Sequence, residues 1–504
     1  MRYDGGMKTQ DTPQDPALAA AAEDPSPASP SPAEQAGESA PAASAGAADP
    51  DAAPVLASAP ALAAPADADL VPAEPPVLEA KPADGPRRPL VIVMHASVGS
   101  GHRSAAEAVA QAFEMLRDDP EAAERYGAIV PEDLDVRVLD VLDFGRMPID
   151  GNATASMFTG FTRPIYDLTW RYTLTGRLLC GGGTIWCHVM FPRFVDYVRE
   201  ECPDAIVATH ITAANVAVGA RMLTGQDFPV VCVPTDYEVE GMWPHRKTDL
   251  FCVANESMAE TLRPRGVPEE RILITGIPAK PAFGRTYDRA AVRDELGLPQ
   301  DARVVLALAG AHLPRPYVHF REALDKLLPY LHSFDDMHLV VVAGKDAPYA
   351  EHLRRQCDEL GLSNVTVLEY VEGIAPLMAA SDLIICKSGG LTVTECLCSR
   401  VPMILMGRAY GQENANVRML TAAGAALHAT TARELLDTLR HVDAHPASTD
   451  AMLINASFLR RPDAAVDIAR ATWALATTDE EPDPRLRRKR FADFYWGKKP
   501  AHIR

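Results

Sequence analysis

The amino-acid sequence predicts an α/β protein: two Rossmann-like, doubly wound domains with a cleft between them, behind a disordered amino-terminal tail. Three observations carry this expectation. From Arg87 onward, short apolar runs alternate with stretches whose apolar residues recur at helical spacing. The alternation is interrupted at "ILITGIPAKPAFGR", rich in proline and glycine, and then begins afresh. Before Arg87 the chain is nearly all Ala, Pro, Ser, Asp and Glu, with no aromatic residue after Tyr3. The expected division is a tail over 1–86, a first domain over 87–284, a second over 285–477 and a basic, aromatic tail over 478–504.

Residues 1–86 hold fourteen acidic and three basic side chains, which leaves −8 of the formal net charge of −19 to the rest. So little bulky apolar surface does not offset the entropy of ordering. With 47% hydrophobic residues over 504 positions, the remainder has ample material for two cores. Proline breaks the Ala-rich runs such as "VLASAPALAAPA", so no secretory signal is expected. No apolar run reaches the ~18 to 20 residues of a spanning helix. The nine cysteines fall mostly in strand-like runs (Cys232, Cys252, Cys386) or a helix (Cys396, Cys398), without CxxC pairs. They read as reduced core residues of a cytosolic protein.

The first domain opens on "PLVIVMHASVGSGHRSAAEAVAQAF": a strand, a glycine-rich turn, then a helix buried through Ala105, Ala108, Val109, Ala112 and Phe113. "VRVLDVL", "AIVATH" before "ITAANVAVGARML", "PVVCVPTD", and "LFCVANE" before "SMAETLRPRG" continue the series. Near-continuous apolar strands between helices imply a parallel sheet covered on both faces. The second domain repeats the scheme through "RVVLALAGAH", "HLVVVAG", "VTVLEYV", "DLIICKSGG" and "VPMILM".

Between Phe144 and Arg199 the pattern breaks. Phe158, Phe161, Tyr166, Trp170, Tyr172, Trp186, Phe191 and Phe194 interleave there with Arg163, Arg171, Arg177 and Arg193. Two readings fit, a face for the boundary between water and lipid headgroups and an ordinary core helix pair. At the carboxyl end, Arg485, Arg487, Arg488, Lys489 and Arg490 precede Phe491, Phe494, Tyr495 and Trp496. This suits an anionic membrane surface, at about 1 kcal/mol per charge, or a solvated tail or packed helix. One short patch on an acidic chain lacks the basic stripe of a nucleic-acid binder.

"DLIICKSGGLTVTECL" reads as a strand, the pair Gly389 and Gly390, then a helix beginning near Leu391. Free amides and the positive dipole end at such a helix start suit phosphate, and Thr392 adds a hydroxyl. Glu395, one turn on, suits a pair of ribose hydroxyls. "MGRAYGQENANVRML" follows the next strand and offers Gln412, Glu413 and Asn416, a set suited to sugar hydroxyls.

"SVGSGHRSAAEAV", "PTDYEVEGMWPH", "TGIPAKPAF", "LAGAH", "KSGGLTVTE" and "GQENAN" occur in that order. Together they resemble the monogalactosyl- and glucosyl-diacylglycerol synthases, a family of GT-B glycosyltransferases related to the peptidoglycan N-acetylglucosaminyltransferase. The resemblance spans roughly Pro89 to Ala476, and the order of six motifs makes it specific. It implies a UDP-sugar in the second domain, a lipid acceptor held mainly by the first, and inversion at the anomeric carbon. It assigns Glu395 to the ribose and Ser388, Gly389, Gly390 and Thr392 to the diphosphate loop. Gln412, Glu413 and Asn416 fall on the donor sugar, Gly310 and His312 on the first donor loop, and Tyr370, Val371 and Glu372 on the uracil edge. His102 falls on the proposed general base, with Asp236 as the other catalytic candidate, and Gly101, Trp243 and His245 lie on the acceptor side. Ser388 stands where close diacylglycerol glucosyltransferases tend to have Pro, and "DYEVEGMW" replaces a commoner His-containing version.

The chemistry is coherent on its own terms. A histidine with an ordinary pKa of ~6.5 deprotonates an attacking alcohol near neutral pH, while a helix start stabilises the leaving diphosphate, so no metal is required. The one DxD string, Asp133 to Asp135, precedes a strand and reads as loop and strand-edge acid. "GSGHRS" lacks the third glycine of a dinucleotide fingerprint. The expectation is a peripheral enzyme on the inner face of the cell membrane, with no cofactor beyond its donor, UDP-glucose or UDP-galactose. It passes the hexose to diacylglycerol. The alternatives are transfer to a polyprenyl-linked or other glycan precursor, and a UDP-sugar epimerase or binding module.

Overall fold

The computed structural model describes residues 87–128, 130–146, 189–239, 243–309, 318–409 and 413–478. These all fall within one compact unit, Pro75–Arg504. Both expected tails and most of the 144–199 insertion lie outside the described residues.

The first half runs β1 (Leu90–His95), α1 (Ser100–Asp118), α2 (Pro120–Tyr126), β2 (Asp135–Asp140), α3 (Pro192–Glu201), β3 (Ala205–Ala208), α4 (Ile211–Thr224), β4 (Val230–Cys232), β5 (Leu250–Val253), α5 (Glu256–Leu262) and β6 (Ile272–Ile274). Its six strands are parallel, in the order β2-β1-β3-β4-β5-β6. Burial follows place in the sheet. The interior strands β1, β3, β4 and β5 are buried throughout and read as unbroken apolar runs. The edge strand β2 is half-buried and polar, with Asp135 paired to Arg137 at 2.7 Å, a charge that blunts an open edge. That pair settles Asp135 as strand-edge acid.

The second half runs α6 (Arg289–Glu295), β7 (Arg303–Leu308), α7 (Val318–Leu327), β8 (Met337–Val342), α8 (Ala347–Leu360), β9 (Val365–Leu368), α9 (Ala375–Ala380), β10 (Leu383–Cys386), α10 (Gly390–Cys398), β11 (Met403–Met406), α11 (Glu413–Ala422), β12 (Leu427–Ala429), α12 (Ala432–Ala444), α13 (Ala447–Leu459) and α14 (Ala464–Thr477). Its sheet is again six parallel strands, ordered β12-β11-β10-β7-β8-β9.

In each sheet the order reverses once, between β1 and β3 in the first and between β7 and β10 in the second. Such reversals leave a crevice beyond the carboxyl ends of the two strands, because the connecting helices depart to opposite faces. The site described below is built at these crevices.

One helix departs from the linear division. α14 follows the second sheet in sequence, yet its Ala465, Val466, Ile468 and Ala469 are buried with Val91, Val93, Val109 and Phe113 of the first half. Tyr126 on α2 secures it by donating to Asp463 at 2.8 Å. The chain therefore crosses between halves twice. The crossings touch at Gly276, with φ of +95°, where a Cβ would stand 2.5 Å from that of Arg461. Only glycine meets both demands. Of the insertion, Phe191 and Phe194 are described, and both are fully buried in the first core. Over that stretch the core reading holds.

Candidate active site

Strand β1 delivers the chain to His95, and α1 begins at Ser100, so Gly101 and His102 lie in its first turn. Across the crevice, β3 ends at Ala208 and hands over to Thr209 and His210. His102 Nδ1 lies 3.1 Å from the Thr209 carbonyl oxygen and 2.9 Å from Thr235 Oγ1. A carbonyl only accepts, so this contact puts the proton on Nδ1 and leaves the lone pair on Nε2. The Thr209 hydroxyl in turn donates to the His102 carbonyl at 2.8 Å. Ring position and tautomer are thus both set by residues following β3 and β4.

Burial pulls the His102 imidazole down to about 4; the Thr209 hydrogen bond opposes this and the Lys387 ammonium adds to it. The ordinary value of ~6.5 expected from sequence is therefore corrected: the group is neutral at pH 7 and a weaker base than an exposed histidine. His210 sits edge-on to it, ring centroids 4.6 Å apart, and its Nδ1 accepts the Thr212 N–H at 3.1 Å. Burial, with His102 and His95 nearby, holds His210 well below the usual range. His95 is lowered too, by burial, against the pull of Asp140 3.9 Å away.

The second crevice begins where β10 ends. Lys387, Ser388 and Gly389 lead into α10, whose N-cap is Gly389, without a side-chain cap and with no acid in the first turn. Its start is an uncapped cluster of N–H groups, as the Gly pair predicts. The Lys387 ammonium lies 3.8 Å from Glu413, the first residue of α11. Its charge is felt by both His102 and Asp236. Glu395, one turn into α10, is half-buried; burial raises its carboxyl to about 7, with Lys280 pulling it back. Lys280, on the first crossing, is held by Glu107 of α1 at 2.7 Å.

The two crevices face and touch each other. A Cβ on Gly101 would lie 3.6 Å from Leu391 Cδ2, and one on Gly390 would lie 1.9 Å from the Thr235 carbonyl oxygen. Tyr237 packs against the cores of both halves, and its hydroxyl bonds to Thr394 of α10.

His102, Gly101, Asp236, Ser388, Gly389, Gly390, Glu395, Glu413 and Asn416 come together in this region, and Thr392 lies on the first turn of α10. Asp236 lies against the start of α10, within reach of the Gly390 N–H, and accepts from Asn416 at 2.9 Å. Asn416, expected on the donor sugar, is fully buried with both ends of its amide engaged by protein: it also donates to Ser388 O at 2.8 Å and accepts the Tyr237 N–H at 2.9 Å. Trp243 and His245, expected at the acceptor, are packed in the first core instead. Trp243 lies edge-on to Phe251 at 6.2 Å and His245 stacks on it at 5.8 Å, since an aromatic cluster buries these rings best. Tyr370 and Val371 follow the edge strand β9, three strand spacings or about 14 Å from β10. Tyr370 is exposed, with Lys345 over its ring at 5.1 Å, and Glu372 is exposed beside it. Gly310, His312 and Gln412 lie outside the described residues. Lys387, Thr209, Thr235, His210 and Lys280 were not singled out from sequence. Lys387 alone had a local signal, as a cation placed immediately before the glycine pair.

Two doubly wound units with opposed switch-point crevices define a protein of the GT-B fold. Solved structures agree on that fold: the Staphylococcus aureus MnaA–UDP co-structure superposes with a TM-score of 0.51 at 14% identity, over 78% of this chain and 99% of that one. A putative UDP-N-acetylglucosamine 2-epimerase from Listeria monocytogenes gives 0.50 at 16%, over 78% and 98%. The family model for monogalactosyldiacylglycerol (MGDG) synthase matches residues 184–279, and that for the glycosyltransferase family 28 C-terminal domain matches residues 318–467. A processive diacylglycerol beta-glucosyltransferase of Bacillus mycoides (strain KBAB4) is 27% identical over 345 residues, 68% of this chain and 82% of the relative. The enzyme of that name from Bacillus subtilis (strain 168) is 31% identical over 247 residues, 49% and 62% of the two chains. Through these matches the chain is similar to the monogalactosyl- and glucosyl-diacylglycerol synthases and carries a family 28 glycosyltransferase carboxy-terminal segment.

Proposed function

We propose that the protein transfers a hexose from a UDP-sugar, UDP-glucose or UDP-galactose, to the free hydroxyl of diacylglycerol with inversion, working as a peripheral enzyme on the inner face of the membrane. The observation that carries this reading is the meeting of the two switch points. A neutral, tautomer-fixed His102 stands on one side, and an uncapped helix start with Lys387 stands on the other. The family and its named relatives support the donor and acceptor classes.

In this reading the diphosphate lies at the start of α10, its charge met by the Gly389–Gly390 amides, the helix dipole and Lys387. Glu395 takes the ribose hydroxyls, Tyr370 and Val371 meet the uracil, and Glu413 and Gln412 face the sugar. The acceptor oxygen attacks the anomeric carbon as its proton passes to His102 Nε2. The bond from that carbon to the diphosphate oxygen breaks, and UDP leaves with the electron pair. The ion-paired β-phosphate adds negative charge near His102, which raises its basicity when donor is bound. Helix start and histidine thus support each other only across a closed interface. No helix among the described residues is long and apolar enough to cross a membrane. The aromatic and basic sequence before Phe191 and after Thr477 supplies the membrane contact in this reading.

The test is product analysis. Purified protein is incubated with labelled UDP-glucose or UDP-galactose and a panel of diacylglycerol, polyprenyl-phosphate lipids and vesicles. Label in a chloroform-soluble neutral glycolipid, with stoichiometric UDP, is the expected result. Label in a polyprenyl-linked product, or recovered only as another free UDP-sugar, contradicts it.

A further inference from the structure

The start of α10 is not open space. The segment following β4 presses on it so closely that a Cβ at Gly390 would stand 1.9 Å from the Thr235 carbonyl oxygen and 3.0 Å from Asp236 Oδ1. The side-chain direction at Gly390 is therefore closed by the first half of the molecule. What stands beside it is an anion, the Asp236 carboxylate, which lies within the influence of the Gly390 N–H and accepts an Asn416 amide hydrogen bond at 2.9 Å. α10 has no capping side chain and no acid of its own in its first turn. A helix start lacking both gains from a carboxylate, and here the other half of the molecule provides it. Asn416 fastens the arrangement from three sides: it holds Asp236, donates to Ser388 O at 2.8 Å and accepts the Tyr237 N–H at 2.9 Å, at zero exposure.

We propose that Asp236 is an internal stand-in for the donor's diphosphate: in the empty protein its carboxylate fills the anion cradle at Gly390, and donor enters as Asp236 and the 235–237 segment withdraw. The inference rests on reading the α10 start as the diphosphate site. Asp236 is then a gating residue for donor entry, and Asn416 is its clasp. The exchange is electrostatically balanced, one bound anion replacing another. The diphosphate wins because it brings more charge and more acceptor oxygens than a half-buried carboxylate whose pKa desolvation raises toward the neutral form. While the carboxylate is in place the site is not competent, and apparent affinity is reduced by the fraction of molecules so closed.

The sign of the predicted effect is opposite to that of an ordinary ligand contact. UDP binding is measured by calorimetry on the full chain, with inorganic pyrophosphate as a second probe. Asp236→Asn lowers the Kd for UDP about three- to tenfold. Asn416→Ala, which keeps the carboxylate but removes its clasp, lowers it in the same direction by less, and serves should the first variant fold poorly. UDP carries no transferred hexose, so any contact of Asn416 with the donor hexose does not enter. Glu395→Gln is measured in parallel. If it weakens UDP while both gate variants bind UDP no better than the unaltered protein, the gate is overturned and the site stands. If Glu395→Gln leaves UDP affinity unchanged, the site reading falls and the gate with it.

Discussion

The turn after β1 and the turn after β10 each lead from a fully buried strand into a helix that has no side-chain cap. They differ in what they do to charge. After β1, burial strips charge away: His95, His102 and His210 all titrate below the ordinary histidine range, and His102 at about 4 is uncharged across the physiological span. After β10, positive potential is gathered, from the amides of a helix start without a capping side chain of its own and from Lys387, whose reach extends to His102 and Asp236. One half prepares a base that must be neutral to act, the other a cradle that must be positive to bind. Chemistry needs both at once, which places the burden on the contact between them.

Breaking that contact has the largest expected effect of any change outside His102. Gly390→Ala puts a methyl group 1.9 Å from the Thr235 carbonyl, so the halves separate. Since an ångström of misplacement costs about 10²-fold, turnover falls by about that much or more, while circular dichroism and melting temperature change little. Retention of most turnover would show that the start of α10 takes no part in the working site.

Removing charge from the second turn comes next. Lys387→Met lowers kcat/KM by about 10- to 10²-fold, as loss of one electrostatic contact to a leaving group does. Because the Lys387 ammonium lowers His102, its removal moves the acid limb of the kcat/KM profile to higher pH. An unmoved limb would uncouple the two turns. Glu395→Gln sharpens the comparison differently. It weakens UDP about tenfold through loss of a charge-assisted bond to ribose. It also stabilises the protein above neutral pH: the folded carboxyl at about 7 lies above its unfolded value, so stability falls as pH rises from the ordinary carboxylate range through about 7. At pH 8 the melting temperature rises by about 2–4 °C for a gain on the order of 1 kcal/mol; at pH 5 it does not change.

The smallest effect belongs to the histidine cluster as a whole. Its folded pKa values are lowered, so the unfolded chain takes up protons first, and stability present above about pH 6.5 is lost progressively toward about 4. His210→Gln reduces the slope of melting temperature against pH over that window.

Much of this was legible in the chain. The alternation of apolar runs and helical periods, the break near Gly276, and the helix start after Gly390 are local patterns, and the structure keeps all three. What could not be read was who meets whom. Thr235 and Thr209 reach His102 from 133 and 107 positions away, and Asn416 reaches Asp236 from 180. Nothing in the local spacing of a threonine marks it as the partner of a distant imidazole. The same holds for α14, whose apolar stripe says only that one face is buried, and which is buried against the first sheet. Trp243 and His245 were legible as aromatic groups near a motif; that Phe251 stands beside them is a tertiary fact.

The account turns on His102 as the base that works against a donor held by the other half. Its most direct test is single-turnover transfer from labelled UDP-hexose to diacylglycerol by the His102→Ala variant, with UDP affinity measured on the same preparation. The account predicts a transfer rate lower by about 10²- to 10⁴-fold with UDP affinity within twofold of the unaltered protein. Transfer at a near-normal rate by that variant would contradict it.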